Sequence, residues 1–453
     1  MSSCDALAGG RCPAGVTMAA MVEVTTAPID EIRGQRTSIK WTRFPADVLP
    51  LFVAEMDYAI AEPVVEELVR RVRASDVGYL DGPGPLAPAF ARFARERWGW
   101  IVDESRVRIA TDVSVGIVET LRLAVPRGGR VVVTPPVYPP FFELVEEAGA
   151  RVEEVPMLVA DGRASLDLAG LERAFASGVD AFLLCNPHNP MGLVHDASTL
   201  AAVARLAARH DVLVISDEVH APLTLPGATF TPFAPLAEAL GASSVCVTSA
   251  SKGWNLAGAK CSLVIAGDPR THALLDGLVE EVACRTSILG LHANVVAFSC
   301  TDWLDDAIAR IVANDQLLAS LLAEHLPGVV HHRPAAGYLA WLDLRPLDLG
   351  ADPAEVLLKR ARVALNAGHC YGTGGAGHAR LNLACDPDVL REAVRRISAV
   401  VGSGAAPDPG SAPAGAAPLV AAAPAPDAPP DPLCASAPAR IPAHVATHRG
   451  APA

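Results

Sequence analysis

Basic charge is scarce in this sequence. Its 453 residues include 37 Lys or Arg against 50 Asp or Glu, so the formal net charge at pH 7 is -13. A protein that binds nucleic acid needs a basic face to replace the counterions of the phosphates. The charge balance therefore argues against such a face, and we predict no nucleic-acid partner.

Long apolar runs and targeting signals are also missing. No run is apolar and long enough to span a bilayer. The first residues contain no basic segment followed by a clear apolar one, which a signal peptide requires. We therefore expect neither a membrane segment nor a signal peptide.

The ten cysteines lack the spacings of a metal site or a redox centre. They form no C-x-x-C pair and no Cys/His group with zinc spacing, and several lie in apolar runs. The spacing of His188, His220, His369 and His378 likewise matches no common set of metal ligands. We therefore predict reduced cysteines, a cytoplasmic protein and no metal site.

Apolar residues, in contrast, are plentiful. They make up 51% of the sequence, which is enough for a large core and more than one domain. From residue 403 to residue 453 the composition changes to Ala, Pro and Gly with few large apolar residues. Such a segment cannot bury enough surface to offset its ordering entropy, so we predict a disordered tail there.

Strand-like and helix-like runs alternate in the middle of the chain. The predicted strands are residues 107–110, 130–134, 181–185, 212–216 and 245–248, and helices are predicted around residues 115–125, 141–148 and 198–209. The strands are continuously apolar, which indicates that both of their faces are covered. The pattern predicts an α/β protein with a mostly parallel sheet flanked by helices.

Polar, aromatic or glycine residues follow each predicted strand. Ligands of such sheets bind at the carboxyl ends of the strands, so these loops predict the position of a site. In chain order the loops read T-D-V-S-V-G-I-V-E, P-P-V-Y-P-P, N-P-H-N-P-M-G, D-E-V-H and S-A-S-K.

Two charged residues in these loops are suited to pyridoxal-phosphate chemistry. A lysine taken alone is most often a surface residue, but Lys252 has small neighbours and follows an apolar run. A desolvated lysine is more easily neutral and nucleophilic, as a Schiff-base lysine must be. Asp217 ends a very apolar strand, where it either caps the next segment or pairs with a pyridinium nitrogen.

Other residues of the loops match the remaining needs of that cofactor. Ser114 and Gly116 open a helix whose free N–H groups favour a phosphate, although simple capping explains them as well. Lys260 adds a positive charge for the same anion. Tyr138 has the ring needed for stacking, and Asn189 has an amide suited to the ring oxygen, although Asn-Pro is also a plain turn.

Taken together, the loops resemble those of fold-type I pyridoxal-phosphate enzymes of the class I/II aminotransferase superfamily, over about residues 30–400. Within it the sequence is most similar to the cystathionine β-lyase (C–S lyase) branch. The motifs that carry the resemblance are S-I-K-W at 38–41, L-P-L-F-V-A-E-M-D-Y at 49–58, G-Y-L-D-G-P-G at 78–84, D-E-V-H-A-P-L at 217–223, S-A-S-K-G-W-N-L-A-G-A-K at 249–260 and R-L-N-L-A at 380–384.

The resemblance implies a fold, an assembly and a role for each site residue. It implies a large domain with a seven-stranded sheet over residues 61–300, a small α+β domain from residues 30–60 and 301–402, a disordered N-terminus over residues 1–29, and a homodimer with shared active sites. Catalysis would involve Lys252 as the Schiff-base lysine, Asp217 at the pyridinium nitrogen, and Tyr79 reaching the phosphate in the neighbouring subunit. The cofactor would also contact Asn189, Tyr138, His220, Ser249, Ser251, Lys260 and the amides of Val115, Gly116 and Ile117. The substrate would contact Arg380 through its carboxylate, and also Ala54 and Trp254.

Some residues depart from the pattern of the family. Aminotransferases often carry Tyr three residues after the pyridinium aspartate, whereas His220 stands here, as in the lyase branch. The branch more often has Asp and Phe where this chain has Glu55 and Tyr58, and a Thr-Phe pair where Gly253 and Trp254 follow the lysine. Trp254 therefore leaves the range of substrates open.

The predicted activity is α,β-elimination of L-cystathionine or an S-substituted L-cysteine to a thiol, pyruvate and ammonia. An aminotransferase of the same fold is the first alternative, because it shares every step up to the substrate carbanion. A regulatory binding protein with incidental lyase activity is the second. The run G-T-G-G-A-G at 372–377 formally matches a dinucleotide motif, but no βαβ unit surrounds it, and we expect a loop that leads to Arg380.

Overall fold

The computed structural model describes residues 24–160 and 163–402, together with Cys434. The N-terminus predicted to be disordered, residues 1–29, lies outside the described residues up to position 23, whereas residues 24–29 differ from the prediction: Val24 is buried, Thr26 pairs with Tyr58 and a helix begins at Ile29. The predicted disordered tail lies outside the described residues except for Cys434. Among the described helices, none combines the length and the apolar character needed to cross a membrane.

A seven-stranded sheet forms the centre of the molecule. All of its strands run in one direction except Ser262–Ala266, which is antiparallel to both of its neighbours. From edge to edge the strands are Val107–Ala110, Ser262–Ala266, Ser244–Thr248, Leu213–Asp217, Ala181–Cys185, Arg130–Val133 and Arg151–Glu154. The prediction of a mostly parallel seven-stranded sheet is confirmed.

The two faces of this sheet explain why its strands are apolar throughout. Successive side chains of a strand point to opposite faces. Leu183 therefore belongs to one buried cluster, whereas Phe182 and Leu184 belong to the other. Each fully buried side chain of this size stabilises the fold by roughly 1.5–3 kcal/mol. Helices cover both faces, Val113–Ala124 and Pro140–Glu147 on one and Leu168–Ala176 and Ala197–His210 on the other.

The remaining strands form three small sheets. A four-stranded antiparallel sheet contains Val330–His332, Leu339–Asp343, His378–Asn382 and Asn366–Ala367 in that order. A parallel pair joins Leu49–Pro50 to Val363–Ala364, and an antiparallel pair joins Leu158–Ala160 to Arg163–Ser165. The predicted division into a large and a small domain, with boundaries at residues 60 and 300, stays a prediction.

Further helices complete the described structure. The longest, Thr301–His325, packs against the last described helix, Pro387–Gly402. The other α-helices are Ile29–Gln35, Ile39–Thr42, Glu62–Arg73, Leu86–Trp98, Phe233–Ala239, Ala250–Gly253, Pro269–Leu275, Glu280–Cys284, Ile288–Ala297 and Pro353–Val356. Short 3-10 helices are Glu104–Arg106, Ala221–Leu223, Ala257–Ala259, Arg345–Leu347 and Gly368–Tyr371, and Leu357–Ala361 is a π-helix.

Two expectations about local structure meet different outcomes. Residues 372–377 form a loop that leads into the strand His378–Asn382, as expected, and not the turn between a strand and a helix that a dinucleotide site needs.

The prediction of reduced cysteines is wrong for Cys370 and Cys434, which form a disulfide with Cα atoms 5.4 Å apart. This Cα separation is typical of a disulfide. The two cysteines are 64 residues apart in the chain, so their pairing left no short-range motif.

Candidate active site

The carboxyl ends of the parallel strands bring the predicted site loops together. Cys185 pairs with Asp217 across two neighbouring strands, and Asp217 pairs with Val247 in the next one. The loop with Asn189 therefore lies beside Asp217, and the short helix with Lys252 follows on the other side. This neighbourhood is what the sheet pattern predicts, because parallel strands all end at the same edge.

Lys252 lies in the short helix Ala250–Gly253 and has a half-buried side chain. Its Nζ donates a hydrogen bond to the backbone carbonyl of Ala54, at 3.0 Å. Burial lowers the pKa of the Lys252 amine to about 8, the positive charge of Arg380 acts in the same direction, and Asp217 opposes them. With this pKa roughly a tenth of the amine is neutral at pH 7, far more than for an ordinary lysine, and the neutral form is the one that a nucleophile or a proton acceptor requires.

Asp217 is the last residue of a central strand and is 5% exposed. Its Oδ1 accepts a hydrogen bond from the backbone N–H of Val219 at 3.1 Å. Burial raises the pKa of the Asp217 carboxyl to about 7, although this hydrogen bond and the charge of Lys252 both favour the ionised form. The buried carboxylate is thus incompletely compensated within this chain, and a cation placed against it would stabilise its ionised form.

Arg380 is the third charged group of the site and is 2% exposed. Its Nη2 donates to the carbonyl of Phe52 at 3.0 Å and to Oδ1 of Asn366 at 2.7 Å. Its Nη1 donates to Oδ1 of Asn189 at 3.2 Å, and its Cζ lies 5.5 Å from the centre of the Tyr371 ring. These contacts hold the guanidinium in one orientation, which suits it to a planar carboxylate.

The segment 53–58 closes the site from the N-terminal side. The carbonyl of Ala54 accepts hydrogen bonds from Lys252 and from the hydroxyl of Tyr338, the latter at 2.9 Å. The side-chain amide of Asn255, three residues after Lys252, donates to the carbonyl of Met56 at 2.9 Å. Ala54 thus contacts Lys252, the predicted Schiff-base lysine, through its backbone, which the sequence alone did not predict.

Arg36 and Lys40, which precede the segment 53–58 in the chain, also hold it in place. The Arg36 guanidinium donates to the carbonyls of Met56, Asp57 and Tyr58 at 2.9–3.0 Å. The Lys40 amine donates to the carbonyl of Glu55 at 2.8 Å and forms a buried ion pair with Asp57. The segment is therefore fixed by charged residues that precede it in the chain.

His220 and Tyr138 lie close to the charged groups. His220 is buried, and burial lowers the pKa of its imidazole to about 3, with the charges of Lys252 and Arg380 acting in the same direction. Tyr138 is half-buried, and burial raises the pKa of its phenol, with Asp217 acting in the same direction. Both rings are therefore neutral at physiological pH and are suited to contact a bound ring.

The predicted phosphate cradle has a different structure from the one expected. Asp112 caps the helix Val113–Ala124: its Oδ1 accepts from the N–H of Val115 at 2.9 Å, and its carbonyl accepts from the N–H of Gly116 at 3.0 Å. Its other oxygen, Oδ2, accepts from Nζ of Lys260 at 2.8 Å. Two of the three amides predicted to bind phosphate, and the predicted lysine, therefore already contact Asp112. The side chain of Ile117 packs in the apolar cluster between this helix and the sheet, and the phosphate contact of its amide stays a prediction.

Gly116 has a packing reason of its own. A Cβ atom at this position would lie 2.9 Å from Cγ2 of Val264, closer than real side chains approach. The glycine therefore lets the helix lie close to the sheet. The presence of Gly116 therefore does not by itself indicate a ligand.

We expect the substitution Asp112→Asn to strengthen the binding of pyridoxal phosphate by about threefold to tenfold, because it removes a like charge beside the predicted cradle. The asparagine oxygen can still accept from Val115, so the helix cap stays. The dissociation constant, measured by titrating the cofactor into cofactor-free protein, checks this result. Lys260→Ala should weaken binding in the same titration. Weaker binding by the Asp112→Asn variant would contradict the prediction.

Four other predicted site residues, Trp254, Ser249, Ser251 and Tyr79, differ in where they lie. Trp254 is fully buried against Phe93 and Phe298 and donates from Nε1 to the carbonyl of Cys300 at 3.0 Å, so it packs in the core and the prediction that it contacts substrate is wrong. Ser249 caps the short helix and donates to the carbonyl of Cys261 at 2.7 Å.

Ser249 therefore uses its hydroxyl proton within the fold, and its predicted phosphate contact is not supported by this placement. Ser251, two residues on, is half-buried at the start of the same helix. Tyr79 is 90% exposed in the single chain and does not join the group around Lys252.

Sequence reasoning missed three residues that shape the site. Asn366 and Tyr338 act through single hydrogen bonds to Arg380 and Ala54, and no local pattern distinguishes such residues. Asp112 did have a signal, since Asp is a preferred residue immediately before a helix. Its position before the expected phosphate loop should have suggested an ion pair with Lys260.

Comparisons with known proteins agree with what the geometry of the site indicates. Residues 49–397 match the family described as aminotransferase class I and II. A Mycobacterium leprae protein named as a candidate cystathionine beta-lyase is 44% identical over 401 residues, which cover 83% of this chain and 98% of that protein. The Bacillus subtilis protein named cystathionine beta-lyase PatB is 34% identical over 381 residues, which cover 80% of this chain and 96% of that protein.

A solved structure gives the corresponding result for the fold. A Corynebacterium diphtheriae protein, described as a candidate PLP-dependent beta-cystathionase, has a TM-score of 0.78 and is 32% identical in sequence. The similarity covers 84% of this chain and 99% of that protein. The chain is thus similar to these proteins over almost their entire length.

Proposed function

The chain belongs to the class I and II aminotransferase family, and from this premise we propose that it is a pyridoxal-phosphate-dependent carbon–sulfur β-lyase. The reaction is the elimination of L-cystathionine, or of an S-substituted L-cysteine, to a thiol, pyruvate and ammonia. The observation that carries the proposal is the lowered pKa of the Lys252 amine, about 8. Burial and the charge of Arg380 lower this pKa, and the charge of Asp217 raises it.

The residues of the site fit pyridoxal phosphate. The incompletely compensated Asp217 carboxylate is suited to a pyridinium nitrogen, and the depressed pKa of Lys252 is suited to an amine that condenses with an aldehyde. Lys260 has three N–H donors, of which one contacts Asp112, so it would still offer a cation to a phosphate, and the N-terminus of the helix Val113–Ala124 would add its positive dipole. Tyr138 would contact one face of the ring, and Asn189 its hydroxyl group.

The chemistry is divided between the cofactor and the chain. When bound, pyridoxal phosphate supplies an aldehyde for amino groups and a protonated ring that withdraws electrons from the substrate. Arg380 binds the α-carboxylate of the substrate and so fixes the orientation of the Cα–H bond. Asp217 keeps a proton on the ring nitrogen by placing a negative charge beside it.

Lys252 is the proton acceptor of the proposed mechanism. Its Nζ removes the proton from Cα of the substrate, and the departure of the thiolate from Cβ follows. A general base works best when its pKa lies near the operating pH, which a pKa of about 8 satisfies. The burial of Asp217, His220 and Arg380 supports a site from which bulk water is largely excluded.

The test is product release without an amino acceptor. Purified protein loaded with pyridoxal phosphate should release pyruvate and thiol in equal amounts from L-cystathionine when no keto acid is present. An aminotransferase would release no pyruvate under these conditions and would transfer the amino group only when a keto acid is added. The lyase is favoured over the aminotransferase by the 44% identical relative.

We further propose that the active form is a homodimer in which Tyr79 contacts the cofactor of the partner subunit. Tyr79 is 90% exposed in the single chain, and Val69, Val72 and Val77 nearby are 42%, 57% and 59% exposed. Apolar residues exposed together indicate an interaction surface. The cytoplasmic location stays a prediction from the sequence.

We expect two inactive variants, Tyr79→Ala and Lys252→Ala, to complement each other when their subunits are mixed. A mixed dimer would contain one site with both substitutions and one site with neither. Random exchange makes about half of the dimers mixed, so about a quarter of the wild-type activity should return.

The measurement is pyruvate release after the two variants are unfolded and refolded together. Each variant refolded alone is the control. If activity does not return although size measurements show mixed dimers, Tyr79 acts within its own subunit or not at all.

A further inference from the structure

A cluster of metal-binding side chains lies outside the candidate active site. His369 and Cys370 belong to the 3-10 helix Gly368–Tyr371, and Cys434 lies 64 residues after Cys370. Nε2 of His369 is 3.7 Å from Sγ of Cys370 and 3.6 Å from Sγ of Cys434. One histidine nitrogen thus faces two cysteine sulfurs, and these three atoms all lie within 4.8 Å of one another.

The other ring nitrogen of His369 faces a carboxylate. Its Nδ1 lies 3.6 Å from Oδ2 of Asp352. Asp352 is itself fixed, because its Oδ1 accepts from the backbone N–H of Glu355 at 3.2 Å and caps the helix Pro353–Val356. Histidines that bind metals characteristically place their second nitrogen against a carboxylate, which orients the ring and raises its basicity.

The distances also fit a tetrahedral metal. Zinc binds cysteine sulfur at about 2.3 Å and histidine nitrogen at about 2.0–2.1 Å, so the sulfur–nitrogen edge of a tetrahedral site is about 3.6 Å. The two sulfur–nitrogen distances of the cluster are 3.7 and 3.6 Å. Once the disulfide is reduced, the two sulfurs can move a short distance apart, and the three side chains would then occupy three corners of a tetrahedral zinc site.

We propose that Cys370, Cys434 and His369 bind Zn²⁺ in the reduced protein, and that the same two cysteines form the disulfide in the oxidised protein. Two molecules of a small thiol reduce the disulfide to two cysteine thiols and leave as their own disulfide. Zinc then binds both sulfurs as thiolates and displaces their two protons. A water molecule fills the fourth position.

In either state, Cys434 is held next to the wall of the active site. Tyr371 follows Cys370 directly, and its ring lies 5.5 Å from Cζ of Arg380. The carbonyl of Tyr371 accepts from the N–H of Val137, beside Tyr138. The site therefore joins Cys434 to the element that supports the proposed carboxylate-binding arginine.

This inference departs from the prediction, made from the sequence, that the protein has no metal site. That prediction relied on short ligand spacings such as C-x-x-C, whereas this cluster draws its second cysteine from far along the chain. The inference does not depend on the proposed lyase activity, because neither the ligands nor the test involve substrate.

Zinc binding by the full-length, cofactor-loaded protein tests the proposal. Protein reduced with an excess of a phosphine and then freed of it is dialysed against Zn²⁺, and bound metal is measured by elemental analysis. We expect about one zinc per chain in the reduced protein and none in the oxidised protein. With Co²⁺ in place of Zn²⁺, the reduced protein should show sulfur-to-metal charge transfer and tetrahedral ligand-field bands.

The variants assign the ligands. Cys370→Ser and Cys434→Ser should each abolish the stoichiometric zinc, and His369→Ala should weaken it at least tenfold. Asp352→Asn keeps the helix cap and removes the carboxylate, so its zinc affinity should fall by about 10–100-fold. Cys284→Ser, at a half-buried free cysteine, is the matched control and should retain full zinc binding.

Two results would overturn the proposal. One is reduced wild-type protein that retains no more zinc than the Cys370→Ser variant does. The other is a Cys434→Ser variant that still binds zinc and shows the same cobalt spectrum. Because serine is nearly isosteric with cysteine and neither position is in the buried core, the thermal unfolding of the reduced, metal-free variants should stay close to that of the reduced, metal-free wild type.

Discussion

Replacing Lys252 with alanine is expected to lower pyruvate release from L-cystathionine by at least about 10³-fold. The substitution removes the proposed proton acceptor, and general base catalysis alone contributes about 10²–10⁴-fold. It also removes the amine that would hold the cofactor. The measurement is the rate of pyruvate formation by the cofactor-loaded variant, compared with that of the wild type.

Controls separate this effect from unfolding. Lys359→Ala removes an exposed lysine that pairs with Glu355 and should leave the rate unchanged. A small primary amine added to the Lys252→Ala variant should restore part of the rate, because it can take the place of the missing base. A variant that keeps more than a tenth of the wild-type rate would exclude Lys252 as the catalytic base.

Replacing Asp217 with asparagine is expected to stabilise the cofactor-free protein while it weakens catalysis. At pH 8 the wild type must bury an ionised carboxylate that is incompletely compensated, whereas the variant buries a neutral amide of the same shape. The folded pKa of about 7, against an ordinary value of 3.8, corresponds to roughly 4 kcal/mol. Without the partner of the pyridinium nitrogen, kcat/KM should fall by about 10²-fold or more.

The pH dependence of this difference has a definite sign. Between about pH 4 and pH 7 the folded wild type keeps a proton on Asp217 that the unfolded chain has released. Its free energy of unfolding should therefore decrease as the pH rises through this window and level off above pH 7. The contribution of position 217 to this slope should be absent from the variant, as thermal unfolding of the cofactor-free proteins would show.

Glu218 offers a matched control for Asp217. It is the next residue, it is also buried, and burial raises the pKa of its carboxyl to about 7. It accepts hydrogen bonds from Ser216 and from the N–H of Phe233, both at 2.9 Å, and these are not residues of the site.

Glu218→Gln should therefore stabilise the cofactor-free protein without changing cofactor affinity or kcat/KM by more than about twofold. Equal losses of activity in both variants would mean that buried charge in general, and not the pyridinium partner, is what matters at position 217.

The sequence was a good guide wherever the signal was local. The strand Ala181–Cys185 was predicted at its observed ends, because a continuous apolar run bounded by polar residues is typical of a strand covered on both faces. The strand Arg151–Glu154 was missed, because it lies at the edge of the sheet and is largely exposed, so its sequence R-V-E-E carries little apolar pattern.

The direction of a side chain was harder to predict than its position. Lys252 lies in the short helix Ala250–Gly253 and Trp254 directly follows that helix, yet the amine points to the site and the indole is buried in the core. Which of the two faces the pocket depends on packing against Phe93 and Phe298, which are distant in sequence. The Cys370–Cys434 pair depends on long-range contacts in the same way.

The contacts of Arg36 and Lys40 set the minimum length of a working chain. The family match begins at residue 49, but these two earlier residues hold the carbonyls of residues 55–58, next to the one that receives the Lys252 amine. A chain shortened to the matching residues would leave the buried carboxylate of Asp57 without its counter-ion. The part of the chain needed for activity is therefore larger than residues 49–397, which the family comparison matches, and includes residues 36–40.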